Sequence, residues 1–111
     1  MHALERAKER YNLDLDKEDL CQISKRCFSL NNVTKMYIKD AHGHLKQTKG
    51  SEGPYKLVYK DTLVWVILLK SKNKRDKRYY VGTFLPLPKD KNENFISSKI
   101  YREVNKELEE S

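Results

Sequence analysis

The chain has 111 residues, 23 Lys and Arg against 16 Asp and Glu, a net charge of +7 and a pI near 9.4. That length suits one domain, and the basic excess points to a polyanionic partner: nucleic acid, an anionic surface or an acidic protein. The longest apolar run, residues 63–69, falls far short of the roughly 20 residues that a membrane-spanning helix needs.

The charge is unevenly placed. Residues 92–111 carry three basic and five acidic side chains, which leaves +9 on residues 1–91. Only 38% of the chain is hydrophobic and 35% is charged, so the core must be modest and concentrated in periodic runs. Cys21 and Cys27 fall in one expected helix, roughly 9 Å apart along its axis at about 1.5 Å per residue. A disulfide needs Cα atoms within about 7 Å, so both read as free thiols in a reducing, cytoplasmic setting. No charged-then-apolar leader opens the sequence, which predicts no signal peptide.

Residues 2–12 read as a helix, with Ala3, Leu4, Ala7 and Tyr11 forming an apolar edge. A turn follows, and Asp16 reads as the cap of a second helix that runs to about Phe28 and buries Leu20, Ile23 and Cys27. Residues 33–40 alternate as a strand, and residues 41–53 are polar and turn-rich, with weak strand character near Leu45. Tyr55, Leu57 and Tyr59 mark a half-buried strand, and Asp61-Thr62 a tight turn. Residues 63–69 are continuously apolar and read as a central strand covered on both faces. Residues 71–77 form a charged loop, and residues 78–85 the next strand, ended by Pro86 and Pro88. Residues 92–110 read as a final helix, with Ile96, Ile100, Val104 and Leu108 at i, i+4 spacing. The expected fold is α+β: two N-terminal helices packed on a roughly four-stranded antiparallel sheet, plus a C-terminal helix, with the helices on one face of a meander. Residues 1–91 form the α+β body, and residues 92–111 a helix docked on it or on a second copy.

No metal or cofactor site is expected. His42-Gly43-His44 lies in a polar loop without further ligands, and no Gly-rich phosphate loop opens a helix. His2, Arg6 and Arg10, at i, i+4 and i+8, line one face of the first helix. Such a stripe can grip a phosphate with His2 as acid or base, as metal-free RNA cleavage requires; equally, it can be a solvated helix face laced with Glu5, Lys8 and Glu9. A second basic group, Lys70, Lys72, Lys74, Arg75, Lys77 and Arg78, reads as a phosphate-contacting loop or as a solvated hairpin tip that discourages edge pairing. Seven Tyr residues supply stacking surfaces or amphipathic strand positions.

His2-Ala3-x-x-Arg6-Ala7-x-Glu9-Arg10-Tyr11, followed by Leu13-Asp14-Leu15 and Glu18-Asp19-Leu20, resembles the opening of small phage and plasmid proteins of the RelE-like type. Val81-Gly82-Thr83-Phe84-Leu85-Pro86 is similar to the strand that closes the sheet in that barnase/colicin/RelE-like class. The resemblance covers residues 2–87. It implies a metal-independent ribonuclease of toxin type that cuts messenger or transfer RNA by 2′-OH attack on the adjacent phosphate. It also implies an acidic antitoxin or immunity protein as partner. Carried over by position, His2, Arg6, Glu9, Arg10 and Thr83 become the catalytic candidates, and Arg78 and Tyr80 join the basic loop in binding RNA. The sequence departs from the pattern at Asn12, where a Gly is common, in the long 71–77 loop, and in the added C-terminal helix. The alternatives are a non-catalytic, phage-encoded module that binds nucleic acid or a host protein, and an interaction protein that forms a homodimer through Ile96, Ile100, Val104 and Leu108.

Overall fold

The computed structural model describes residues 3–29, 31–48, 50–73, 75, 78–87 and 90–110. Two helices come first, α1 (Ala3–Tyr11) and α2 (Lys17–Ser29). α1 closes in a left-handed C-terminal turn: Asn12 N donates to Lys8 O and Leu13 N to Ala7 O. Asn12 takes the left-handed position at φ 56°, which Asn tolerates better than most residues with a Cβ. α2 opens in a reciprocal cap, in which Asp19 N donates to Asp16 Oδ1 at 2.9 Å and Asp16 N to Asp19 Oδ2 at 3.0 Å.

Seven short strands follow in two sheets. β1 (Val33–Lys35), β4 (Tyr55–Tyr59), β5 (Thr62–Lys70) and β6 (Tyr79–Phe84) form an antiparallel sheet in the order β1-β4-β5-β6. β2 (Tyr37–Lys39), β3 (Leu45–Lys46) and β7 (Phe95–Ser97) form a smaller one in the order β3-β2-β7, with α3 (Ser98–Glu110) directly after β7. The β4–β5 turn is Lys60-Asp61, one residue earlier than expected. Both residues have positive φ, 49° and 62°, and Tyr59 pairs with Thr62 across them, the geometry of a two-residue hairpin that follows sheet twist.

The main sheet is covered on both faces, which explains the unbroken apolar run of β5. On one face α1 and α2 bring Ala3, Ala7, Leu20, Ile23 and Cys27 against Leu57, Val64, Val66, Leu68, Val81 and Phe84. On the other, Met36, Trp65, Ile67, Leu85, Ile96 and Val104 form a second core, with Ile100, Tyr101 and Leu108 packed on it.

Three expectations are corrected. The C-terminal helix lies on the face opposite α1 and α2, because its apolar stripe meets the alternate side chains of β5. Its first residues are a strand instead: β7 pairs with β2 in parallel register, Ile38 opposite Ile96, so the strands are not a simple antiparallel meander. The expected strand over residues 33–40 is two strands in two sheets, divided at Met36, which is fully buried and whose N–H donates to Pro54 O at 2.8 Å. The stripe Ile96, Ile100, Val104 and Leu108, expected to dock on the body or on a second copy, meets the chain's own sheet.

Candidate nucleic-acid interface

β6 is the outer strand of its sheet, so its outward carbonyls need partners. Two side chains from the N-terminal helices supply them, and a third, Tyr11, bonds to Leu85 just past the strand. Ser24 Oγ donates to Tyr79 O at 2.8 Å, Arg10 Nη1 to Phe84 O at 2.5 Å, and Tyr11 Oη to Leu85 O at 2.8 Å. Tyr11 Oη also accepts from Trp65 N at 3.0 Å, so the phenol is wedged into the last rung between β5 and β6. Burial pushes its pKa up strongly.

The α1 cluster of catalytic candidates is closed. Arg6 Nε donates to Glu107 Oε1 at 2.5 Å, and Arg6 Nη1 to Glu9 Oε2 at 2.7 Å. Arg10 Nη2 reaches Glu107 Oε2 at 3.3 Å. One α3 carboxylate therefore takes both guanidinium groups around the edge of β6. Burial pushes the Glu107 carboxyl up, but the hydrogen bonds and charges of Arg6 and Arg10 outweigh it and leave the group below the usual Glu range. Hydrogen bonds first to Glu9 and then to Glu107 hold Arg6 in its charged form.

Thr83 does not join them at the surface. The β5–β6 pairing shifts between Ile67 and Leu68, where Thr83 faces Ile67 and Val81 faces Leu68. Gly82 is the extra residue, and such a bulge turns the following side chain to the other face. Thr83 is 1% exposed, under α3, and its hydroxyl has no hydrogen-bond partner among the described residues. The indole N–H of Trp65, in the same layer, also has none. The expectation that Thr83 contacts RNA alongside Arg6 is corrected on this ground. His2 lies outside the described residues.

The second basic group is arranged differently. The sequence from residue 70, where β5 ends, to residue 78, just before β6 begins, contains six basic residues and one acidic one. Lys70, Lys72, Arg75 and Arg78 are exposed, while Lys74 and Lys77 lie outside the described residues. Among the described residues, no ion pair engages Lys70, Lys72 or Arg75. Tyr79 and Tyr80, consecutive on β6, point to opposite faces of the sheet. Tyr80 lines a cleft of about 440 Å³ with Lys70, Lys72, Tyr101 and Asn105. Tyr79 lines another, of about 500 Å³, with Lys25, Phe28 and Arg78.

Sequence reasoning missed Glu107, Lys25, Phe28, Tyr79 and Tyr101. A signal existed for Phe28, which falls out of phase with the Leu20, Ile23, Cys27 stripe and is 46% exposed. None existed for Glu107, whose role depends on which face α3 covers. In the β2–β3 turn, the Asp40 carboxylate accepts from His42 N and His44 N and lies 3.3 Å from His44 Nδ1. The hydrogen bond from His44 N is the main cause of the lowered Asp40 pKa. No group of three or more His, Cys, Asp or Glu among the described residues could hold a metal ion. No helix among them is long and apolar enough to cross a membrane. No family model, curated protein or solved structure matches this chain.

Proposed function

We propose that this protein is a non-catalytic nucleic-acid-binding module, with RNA as its partner, and that the tip of the β5–β6 hairpin is its contact surface. The contrast between the two basic groups carries this reading. The α1 arginines are paired within the fold by Glu107 and Glu9, whereas Lys70, Lys72 and Arg75 stand exposed and unpaired among the described residues. A segment with six like charges against one opposite charge repels itself and is relieved by phosphates, with release of their condensed counterions. The flanking tyrosines add surfaces on which bases stack. Incubation of the purified protein with total RNA in EDTA tests the reading: binding without cleavage supports it, and cleavage overturns it.

The buried face favours a second reading. Beneath α3, Thr83 Oγ1 and Trp65 Nε1 have no hydrogen-bond partner among the described residues, and the same helix holds Arg6 and Arg10. A RelE-like ribonuclease with its site shut by α3 would bury these groups in this way and would acquire activity when the helix lifts. Glu107→Ala removes the carboxylate that ties α3 to both arginines. Under this reading the variant cuts RNA in EDTA; under the first it stays inactive.

A further inference from the structure

The hairpin tip accounts for charge and says nothing about which form of nucleic acid is bound. The cleft between α2 and β6 does. Cys21, Lys25 and Phe28 fall at i, i+4 and i+7, so α2 presents them as one ridge. Ser24, on the same helix, is tied to Tyr79 O and fixes the ridge beside the start of β6. Phe28 and Tyr79 meet with ring centroids 5.3 Å apart and planes at 60°. A tilted pair cannot cover both faces of either ring, and Phe28 leaves 46% of its surface open. The space beside the rings is about 500 Å³, within the roughly 300–1,000 Å³ range of small-ligand pockets. Lys25 and Arg78 line it, and the Arg78 fork suits phosphate oxygens. Among the described residues, Glu18 is the one carboxylate in the lining, and its Oε1 already accepts from Gln22 Nε2 at 3.1 Å. A carboxylate there disfavours a second phosphate and can accept from an exocyclic amino group of a base.

Resting on the nucleic-acid reading above, we infer that this cleft holds one unpaired nucleotide of a single strand, its base stacked on the open Phe28 ring beside the tilted Tyr79 and its phosphate on Lys25 and Arg78. The cleft adjoins the hairpin tip through Arg78, so the strand runs from the charged loop onto the rings. A duplex keeps its bases stacked on one another and cannot place one on Phe28. The ligand class is therefore an unpaired segment: a loop, a bulge or a free end.

The test is fluorescence anisotropy of the full chain at matched salt. The probes are a short single-stranded RNA, the DNA strand of the same sequence, an abasic strand of equal length, and an RNA duplex. Stacking on an aromatic ring makes the base-bearing strand bind roughly tenfold tighter than the abasic strand, which has the same charge. Phe28→Ala removes that preference and keeps the salt slope, and Phe28→Trp retains it. Phe28 is half open to solvent, so neither substitution empties the core, and an unchanged melting temperature checks this. The RNA and DNA strands show which backbone is preferred, and tighter binding of either than of the duplex supports the cleft. The inference is overturned if wild type binds the abasic strand as well as the others, or if Phe28→Ala keeps the preference. Either result leaves the hairpin-tip reading standing, whereas no binding of any strand by wild type brings down both.

Discussion

Arg6 and Glu107 are 101 residues apart in the chain, yet Nε and Oε1 meet at 2.5 Å. The contact joins the first helix to the last around the edge of β6, so the two layers that cover the sheet are clasped at one side. Glu107→Gln keeps the shape and removes the charge. The pair is less than one-third exposed, so we expect the loss of about 1 kcal/mol in unfolding free energy and a melting temperature lower by about 4 °C. The folded Glu107 titrates below its usual 4.5, so its contribution is present above that pH and lost as the pH falls through the folded value. The gap between wild type and variant, followed by thermal melts across that range, therefore narrows on acidification.

Thr83→Val should stabilise the protein. The hydroxyl is buried without a partner among the described residues, and a methyl of the same shape removes a desolvated polar group. A gain of about 1 kcal/mol in urea unfolding is expected. A loss of stability would mean that the hydroxyl makes a hydrogen bond in solution.

Gly82→Ala should do the reverse. A Cβ there would lie 2.6 Å from Leu69 Cγ, 2.8 Å from Leu69 Cδ1 and 3.3 Å from Leu108 Cδ2. The bulge sits between β5 and α3, so the methyl has to push one of them away. A cost of about 1–3 kcal/mol is expected, with faster hydrogen exchange in α3 as the local readout.

Asp19 links the α2 cap to the sheet. Its carboxylate accepts from the Tyr59 hydroxyl, the Asp16 N–H and Lys60 Nζ. In that order of influence these lower its pKa from 3.8 to about 2. Its contribution is thus present above pH 3.8 and lost between there and about pH 2. Asp19→Asn should be less stable than wild type at neutral pH, and the two denaturation curves should converge near pH 2. Curves that stay parallel would contradict the assignment.

Much of the fold was legible in the sequence because it rests on periodicity. The unbroken run of β5 announced cover on both faces, and the α3 stripe announced a docked helix. What could not be read was the face on which α3 docks. Residues 95–97 form too short a strand to carry a pattern, and Ile96 sits at helical spacing from Ile100, so β7 was hidden inside the helix signal. The parallel β2–β7 pairing rests on contacts between residues about sixty apart. The candidate site was less legible still. A one-residue bulge at Gly82 decides whether Thr83 faces α1 or α3, and spacing alone does not reveal a bulge, although a lone Gly within a strand is its usual mark. The loop between β5 and β6 was legible as the charged run that separates two apolar strands. The ring that stands beside them, Phe28, was missed because α2 was read only for its core face.

The central claim, that the β5–β6 hairpin tip binds single-stranded RNA through its exposed cations, is tested most directly by the salt dependence of that binding. With about four to five phosphates engaged, the logarithm of the association constant should fall with the logarithm of salt at a slope of roughly −3. Replacing Lys70 and Lys72 together by Ala should lower that slope by about 1.4, while Arg6→Ala leaves it unchanged. A slope near zero, or one that drops for Arg6→Ala and not for the lysine pair, would contradict the account.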